Sequence, residues 1–328
     1  MIQPVIAIHG GAGAMSRAAM TPEKEQEYLS ALDGILAAGQ AVLAAGGSAL
    51  DAVTEAVRLL EDCPLFNAGH GAVFTSAATH ELDASIMDGA TLRSGAIAGV
   101  DCVRNPVLAA RKVMEESKHV FFVGEGAEAF AREHGLDIVD PSYFSTEARR
   151  EQLLRVQRET PEAAVLDHDG QALVANSQPA AAPAEPLDAD KKLGTVGAVA
   201  VDAQGNLAAA TSTGGITNKQ VGRVGDAPLI GAGCYASNRT CAVSTTGTGE
   251  MFIRMVAAYD VAAQMEYAGT PLAEAARRVV EDKLPTIGGK GGLIAVDAQG
   301  NVTLPFNTEG MYRGYARVGE PPVASIYR

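Results

Sequence analysis

One seven-residue segment, Ala-Val-Asp-Ala-Gln-Gly-Asn, occurs twice in the chain, at Ala200–Asn206 and at Ala295–Asn301. Each copy follows small and aliphatic residues and precedes another β-prone run. Because Gly and Asn accept the positive φ angles of tight turns, Asp-x-x-Gly-Asn between two such runs predicts a β-hairpin. The repeat therefore predicts two similar hairpins within the sheets of this chain.

Predicted strands are grouped in the middle of the chain, with predicted helices before and after them. The predicted strands are Val5–Ile8, Leu82–Met87, Gly95–Val100, Val120–Val123, Val196–Val201, Leu207–Thr213, Leu229–Gly233, Cys241–Thr245, Gly292–Val296 and Val302–Phe306. The predicted helices begin at Thr21-Pro22, Ser48, Asn105-Pro106, Glu125, Thr146, Glu250 and Pro271. This grouping favours an α+β fold, with stacked sheets covered by helical layers, over an alternating βαβ fold.

Charge and composition limit the partners of the chain. Its 328 residues carry 26 Lys and Arg against 39 Asp and Glu, a net charge of −13, and 47% are hydrophobic. Nucleic acids and anionic membranes require dense Lys and Arg, so a small molecule is the expected partner. No apolar run approaches the ~18 residues of a membrane span. The start of the chain is interpreted as a strand, not a signal peptide, and four cysteines without metal-ligand spacing predict a cytoplasmic protein.

The segment 160–192 lacks the patterns of regular structure. It is rich in Ala, Pro and Asp, contains no aromatic residue and shows little periodicity. Such a composition predicts a flexible linker. The segment is followed by Leu193, then by Gly194 and Thr195, after which the apolar run Val196–Val201 begins.

Threonine is concentrated in three glycine-bounded segments, "LGTVGAVAV", "ATSTGG" and "STTGTGE". Threonine favours strands, but glycine weakens a strand interior unless another backbone or a ligand comes close. If the Gly194–Thr195 bond is cut, Thr195 gains a free α-amine, whose pKa is about 7.7–8.0. An N-terminal amine activates the weak threonine nucleophile beside it. The same hydroxyl could make the cut by attacking the Gly194 carbonyl.

Two other motifs suggest different functions. Gly124–Ala129 matches the G-x-G-x-x-A dinucleotide pattern between a predicted strand and helix, although Glu125 would place a negative charge at the pyrophosphate. An uncleaved dinucleotide-binding protein is therefore the alternative from another class. His9 in HGGAG is similar to the oxyanion loop of esterases, but no G-x-S-x-G occurs. We interpret His9 as a packed or hydrogen-bonded histidine.

The chain resembles the plant-type asparaginase/isoaspartyl dipeptidase family of N-terminal nucleophile hydrolases over nearly its whole length. The resemblance is carried by HGGAG, LEDCPLFNAGHGAVFT, HELDASIMDG, GTVGAVA, ATSTGGITNK, GRVGD, STTGTGE and PFNTEGMYRG. It implies a four-layer αββα sandwich of two stacked, mostly antiparallel sheets. It also implies self-cleavage between Gly194 and Thr195 into an α subunit (1–194), which ends in the linker, and a β subunit (195–328). The two subunits form one structural domain, and two α/β pairs associate as a dimer.

The resemblance implies a reaction and a set of catalytic residues. L-asparagine and β-aspartyl (isoaspartyl) dipeptides are hydrolysed through a covalent ester on Thr195, without a cofactor; a glycosylasparaginase is the alternative within the family. Thr195 is nucleophile and base, and Thr213 orients its hydroxyl. Thr246 and the N–H of Gly247 form the oxyanion hole, and Asn67 lies beside the reacting bond.

The resemblance also implies a site for the amino-acid head group of the substrate. Arg223 holds the α-carboxylate and Asp226 the α-ammonium, with Gly249, Thr246 and Gly247 completing the substrate-binding set. From their spacing alone, Arg223 and Asp226 would be interpreted as a surface ion pair between residues i and i+3.

A sodium site is the last feature that the resemblance implies. Its ligands are main-chain carbonyls of Leu60, Glu61, Cys63, Phe66, Ala68 and His70. A histidine stands at position 70, where an aliphatic residue is expected, and it adds a titratable ring to the loop.

Overall fold

The computed structural model describes residues 2–13, 20–159, 165–166, 172–173 and 194–328. The strands are β1 Val5–Gly13, β2 Leu82–Asp88, β3 Ser94–Val100, β4 Phe121–Val123, β5 Val165–Leu166, β6 Ala172–Leu173, β7 Val196–Val201, β8 Leu207–Thr213, β9 Cys234–Ala236, β10 Cys241–Gly247, β11 Gly291–Asp297, β12 Val302–Thr303, β13 Gly310–Arg317 and β14 Val323–Tyr327. The helices are α1 Pro22–Ala44, α2 Ala49–Asp62, α3 Pro106–Glu116, α4 Gly124–Glu133, α5 Glu147–Glu159, α6 Gly249–Met255, α7 Ala257–Ala268 and α8 Leu272–Arg277. A 3₁₀ turn lies at Pro141–Phe144, and a π-helical turn and a second 3₁₀ turn, Arg278–Lys283 and Leu284–Ile287, follow α8.

The first two helices begin where the capping signals predict. The Thr21 hydroxyl accepts the Lys24 N–H at the start of α1, and the Ser48 hydroxyl accepts the Asp51 N–H at the start of α2. Each contact satisfies a backbone donor that has no partner inside the helix.

Two main sheets organise the fold. An eight-stranded sheet has the order β14-β13-β1-β7-β8-β2-β3-β4, and a four-stranded sheet has the order β12-β11-β10-β9. Neighbouring strands are antiparallel in both sheets, except for the parallel pair β3 and β4. The predicted α+β class with mostly antiparallel sheets is confirmed.

Both faces of the larger sheet are buried. Alternate residues of β1 belong to different apolar clusters, because successive side chains of a strand point to opposite faces. Ile6 and Ile8 pack with residues of α1, α2 and α3. Val5 and Ala7 pack with residues of β11, among them Ile294. A third cluster joins the other face of the smaller sheet to α7 and α8.

The repeated segment forms the same turn twice, as predicted. In each copy the aspartate, Asp202 or Asp297, accepts the backbone N–H groups two and four residues later at 2.9–3.0 Å. The glycine of each turn, Gly205 or Gly300, has a φ of 82° or 81°. The strands on either side pair as β7 with β8 and β11 with β12.

Some predicted elements are wrong in type or extent. Leu229–Gly233 forms turns, with Gly231 at a φ of 94°, and the strand begins only at Cys234. The helix predicted from Glu250 is broken at Val256, whose φ is 49°. The N–H groups of Ala258 and Tyr259 bond the carbonyls of Ala232 and Gly231, so α7 starts on that turn instead of continuing α6.

The C-terminal strands also differ from the prediction. The strand predicted at Val302–Phe306 has only two residues, and β13 and β14 were not predicted. Within β13, Gly310 and Gly314 weaken the strand signal, and Gly314 is a glycine because a Cβ there would lie 2.6 Å from Leu36 Cδ1 and from the Val323 carbonyl.

The predicted linker at 160–192 lies outside the described residues, apart from β5 and β6, which pair antiparallel. None of the helices in the described ranges is long and apolar enough to cross a membrane.

Candidate active site

Thr195 stands immediately before β7, between two neighbouring strands of the larger sheet. Antiparallel pairing of Val196 with Ser212 places Thr195 opposite Thr213, the last residue of β8. The Thr195 Oγ1 donates to Thr213 Oγ1 at 3.3 Å, and Thr195 is only 6% exposed. The two hydroxyls are therefore in direct contact, as the role expected of Thr213 requires.

Gly194 is held between β1 and β10. A Cβ on Gly194 would lie 2.5 Å from Thr246 Oγ1 and 3.0 Å from the Ala12 nitrogen. Gly11, at a φ of 111°, is equally close, since a Cβ there would lie 2.7 Å from the Gly194 nitrogen. Only glycines at positions 11 and 194 allow this approach of two backbones.

Thr246 presents a free hydroxyl at this point. The residue is completely buried, and its Oγ1 has no hydrogen-bond partner in the part of the chain that the structure describes. A buried hydroxyl without a hydrogen-bond partner destabilises the fold. We therefore expect an oxygen near Gly194 to accept a hydrogen bond from Thr246 during the reaction.

One cleft opens next to the Gly194–Thr195 bond and contains most of the predicted residues. It is lined by Gly194, Thr195, Thr213, Gly215, Ile216, Arg223, Gly225, Asp226, Gly247 and Gly249. Sequence reasoning assigned no role to Ile216 and Gly225, which lie in the motifs ATSTGGITNK and GRVGD, whereas Gly215 was expected to leave space at the end of a strand.

Arg223 and Asp226 meet at Gly249, the first residue of α6. A Cβ on Gly249 would lie 2.8 Å from Arg223 Nη2 and 3.0 Å from Asp226 Oδ1. Arg223 forms a two-pronged pair with Glu250, at 2.8 Å from Nε and 2.9 Å from Nη2. Asp226 is only 2% exposed, so Arg223 and Asp226 do not form the surface ion pair that their spacing alone indicated. Sequence reasoning placed Glu250 at the end of STTGTGE and at the start of a helix, but missed its contact with Arg223.

Asp226 is a buried carboxylate with one strong partner. Thr245 Oγ1 donates to its Oδ2 at 2.7 Å. Burial raises the pKa of Asp226 to about 6, against the opposing effects of Thr245 and of the nearby Arg223 charge. Its Oδ1 faces Gly249, and both residues line the cleft.

Asn67 braces the turn after β8. Its Nδ2 donates to the Gly215 carbonyl at 2.7 Å, and its Oδ1 accepts the Val73 N–H at 2.9 Å. The Gly215 N–H in turn bonds Thr213 Oγ1 at 3.0 Å. Asn67 is therefore linked to Thr195 through Gly215 and Thr213.

The loop predicted to bind sodium is closed by backbone contacts. The Glu61 carbonyl accepts the His70 N–H at 2.7 Å. A Cβ on Gly71 would lie 2.7 Å from the Pro64 carbonyl oxygen and 2.9 Å from that of Phe66, so main-chain oxygens converge there. His70 Nδ1 lies 2.6 Å from the Tyr143 carbonyl oxygen, so its ring is engaged away from the backbone ligands.

Comparison with known proteins places this site in a family. The chain matches the Asparaginase family over residues 2–323. The chain belongs to the Asparaginase family. It is 61% identical to an isoaspartyl peptidase of Escherichia coli (strain K12), over all of this chain and 97% of that protein. It is 62% identical to an isoaspartyl peptidase of Salmonella typhimurium over the full length of both, and 41% identical to an isoaspartyl peptidase/L-asparaginase of Mus musculus over 94% of this chain and 86% of that protein. As a member of the Asparaginase family, the chain is a hydrolase.

Membership of the Asparaginase family argues against the dinucleotide-binding alternative. Gly124–Ala129 does open a helix after a strand, as predicted. However, β4 is the edge strand of the sheet, four strands from β7, and Glu125 is exposed in the first turn of α4. These residues are a helix start with an acidic first turn.

Proposed function

We propose that this chain is a self-processing N-terminal-threonine amidohydrolase that acts on β-aspartyl (isoaspartyl) dipeptides and on L-asparagine. The observation that carries the proposal is the unpartnered, buried Thr246 hydroxyl beside Gly194, with Thr195 bonded to Thr213 on the other side. Relatives at 61–62% identity are named isoaspartyl peptidase, which favours this activity over that of a glycosylasparaginase.

Self-cleavage would use the same groups as catalysis. The Thr195 hydroxyl attacks the Gly194 carbonyl, and the Thr246 hydroxyl donates to the oxygen that becomes negative. The C–N bond then breaks, the acyl group moves to Thr195 Oγ1, and the proton lost by that hydroxyl is transferred to the Thr195 nitrogen, which becomes an amine. Water hydrolyses this ester, leaving a carboxylate on Gly194 and a free hydroxyl on Thr195.

In the mature enzyme the Thr195 amine takes the proton of the Thr195 hydroxyl. The oxygen attacks the β-carbonyl of the substrate, and Thr246 with the N–H of Gly247 stabilises the tetrahedral intermediate. The leaving amine, ammonia or an amino acid, departs with the proton held by the Thr195 amine. Water then hydrolyses the aspartyl ester through the same intermediate geometry.

The head group of the substrate would bind on either side of Gly249. The Arg223–Glu250 pair uses Nε and one N–H of Nη2, which leaves other guanidinium donors for an α-carboxylate. Asp226 would bind the α-ammonium through Oδ1. L-asparagine and β-aspartyl dipeptides share this head group, so the test is a steady-state comparison of both substrates. If the enzyme hydrolyses neither substrate, the proposal is wrong.

The pKa of Asp226 predicts an acid limb in the pH profile. With a pKa raised to about 6, its carboxylate is charged above that pH and neutral below it, so the ammonium site is lost as pH falls. The Thr195 amine, at about 7.7–8.0, adds a limb at higher pH. We expect log kcat/KM to fall with slope one below that amine pKa and slope two below about 6. In Asp226→Asn the slope should stay at one; a slope of two in this variant contradicts the assignment.

The finer architecture belongs to the same proposal. The three apolar clusters, two of them under helices and one between the sheets, support a four-layer αββα sandwich. Residues 1–194 and 195–328 would be the α and β subunits of one structural domain. A dimer of two such pairs follows from the family resemblance and is testable by sedimentation velocity. The four free cysteines support a cytoplasmic location.

Sodium is the one ion that the proposal includes. Main-chain oxygens suit a hard cation, and those of Leu60, Glu61, Cys63, Phe66, Ala68 and His70 would hold it. Of the two carbonyl oxygens that lie close together at Gly71, those of Pro64 and Phe66, the second belongs to this set. The ion would stabilise the loop that carries Asn67 and takes no part in the chemical steps.

Removal of sodium should lower stability. An ion bound only by the folded state stabilises it by about 1.4 kcal/mol at a concentration ten times its Kd. We expect a lower Tm in choline chloride than in sodium chloride of equal ionic strength, with recovery when sodium is added back. Identical melting curves in the two salts would contradict a sodium site.

A further inference from the structure

His9 lies in a row of residues across three strands of the larger sheet. The register pairs His9 in β1 with Gly197 in β7, and Gly197 with Thr211 in β8. Directly opposite residues in antiparallel strands place their side chains on the same face. Because the middle member is a glycine, the row has a gap between the His9 and Thr211 side chains.

Ser244 of the smaller sheet fills this gap. Its Oγ lies 2.8 Å from His9 Nε2 and 2.8 Å from Thr211 Oγ1. A Cβ on Gly197 would collide with Ser244 Oγ and would lie 2.6 Å from His9 Nε2. His9, Thr211 and Ser244 are all completely buried. A hydroxyl from one sheet is thus bonded on both sides by residues of the other, and we call these three residues the clasp.

The directions of these bonds assign a tautomer to His9. Thr211 Oγ1 donates to the Gly233 carbonyl at 3.1 Å. With the Thr211 proton placed there, Ser244 donates to Thr211 and accepts from His9 Nε2, which then carries the ring hydrogen. Burial lowers the pKa of His9 to about 3, against the opposing effect of a hydrogen bond between the ring and the Thr195 backbone, so the ring is neutral.

The clasp lies one pleat repeat from the reacting atoms. Thr195 lies two residues from Gly197 along its strand. In the same way, Thr213 lies two residues from Thr211, and Thr246 lies two residues from Ser244. Side chains two residues apart on a strand share a face and are about 7 Å apart. The contact between the sheets at Ser244 therefore sets the distance between the two sheets near Thr246. At this place the Thr246 hydroxyl must reach the Gly194 carbonyl or a substrate oxygen.

We propose that His9, Ser244 and Thr211 form an inter-sheet clasp, in which His9 as its Nε2–H tautomer is a positioning residue for Thr195 and Thr246. This inference rests on the proposed function. Arg223 and Asp226 hold the substrate head group from outside the clasp, so loosening it affects kcat and self-cleavage more than KM.

Two substitutions of His9 separate positioning from packing. The amide nitrogen of glutamine is as many bonds from Cβ as His9 Nε2, whereas that of asparagine matches Nδ1. We expect His9→Gln to keep kcat and the cleavage rate within about threefold of the wild type. His9→Asn should lower both about tenfold or more, equivalent to one lost hydrogen bond, with KM changed less than about threefold. The same pair of substitutions at the half-buried His134, in the C-terminal cap of α4, is the control and should change neither rate.

Equal losses in His9→Gln and His9→Asn, or a loss confined to KM, would overturn the inference. The ¹⁵N spectrum of histidine-labelled wild type gives a readout independent of turnover: we expect the His9 signal, assigned by its disappearance in His9→Gln, to show a protonated Nε2 and a bare Nδ1. A protonated Nδ1 overturns the clasp. If the wild type hydrolyses no β-aspartyl dipeptide, the proposed function fails, while the tautomer still decides the inference.

Discussion

Thr195→Ala is expected to give a single band of 33.8 kDa on a denaturing gel and no detectable hydrolysis of a β-aspartyl dipeptide. The wild type should give two bands of about 20 and 14 kDa, scaled from the mass of the whole chain, with Thr195 as the new N-terminus. The reason is that one hydroxyl serves both reactions, so its removal abolishes the attack on Gly194 and the attack on the substrate.

Thr195→Ser is the matched control for this substitution. Serine keeps the hydroxyl and, after cleavage, the adjacent amine, so the variant should cleave and turn over more slowly than the wild type but measurably. Full-length Thr195→Ala that still hydrolyses the dipeptide would refute the nucleophile assignment. Thr195→Ala that splits into two fragments would refute the self-cleavage mechanism.

The sequence indicates the crowded backbone at Gly194 but not the arrangement of the residues around it. Glycine next to threonine signals a close approach of backbones, and the structure shows one at Gly194 with Gly11 and Ala12. The hairpins and first helix starts were predictable because their turn and cap residues act locally. Site residues are brought together by strand register, and a register between strands far apart in sequence leaves no local pattern.

The break between α6 and α7 shows why other features could not be predicted. Val256 adopts a φ of 49°, which a β-branched residue rarely does. This strain is offset where the N–H groups of Ala258 and Tyr259 bond the turn that follows Asp226. Only the folded chain brings that turn to the helix, so helical periodicity predicted one continuous helix from Glu250.

The Arg223–Glu250 pair is a second case of long-range placement. Glu250 is 27 positions from Arg223, and no contact between them was predicted. Its carboxylate nevertheless fixes the plane of the Arg223 guanidinium through two hydrogen bonds of 2.8 and 2.9 Å. The local spacing indicated instead a pair with Asp226, three residues from Arg223. Asp226 is buried, and it is hydrogen-bonded to Thr245. The resemblance to a known family predicts that both residues belong to one site, and both line one cleft in the structure, whereas spacing alone favoured an exposed ion pair.

Arg223→Ala should separate self-cleavage from hydrolysis. The proposed cleavage uses Thr195, Thr213 and Thr246 and not Arg223, so this variant should still yield two bands. Binding of the α-carboxylate loses charge-assisted hydrogen bonds worth about 2.7 kcal/mol, so we expect KM to rise about 100-fold. Because Glu250 is 43% exposed in its side chain, loss of its partner should cost the fold little.

Arg223→Lys tests whether the charge of Arg223 or the planar shape of its guanidinium is responsible for substrate binding and for the pKa of Asp226. The positive charge of Arg223 opposes the burial effect that raises the pKa of Asp226, so its loss should raise that pKa further. The acid limb of kcat/KM from about pH 6 should therefore move to higher pH in Arg223→Ala and stay in place in Arg223→Lys. Lysine lacks the planar fork, so its KM should still rise about tenfold. An unchanged KM in Arg223→Ala would exclude Arg223 from the substrate site, and an uncleaved Arg223→Ala would show that processing and substrate binding share this residue.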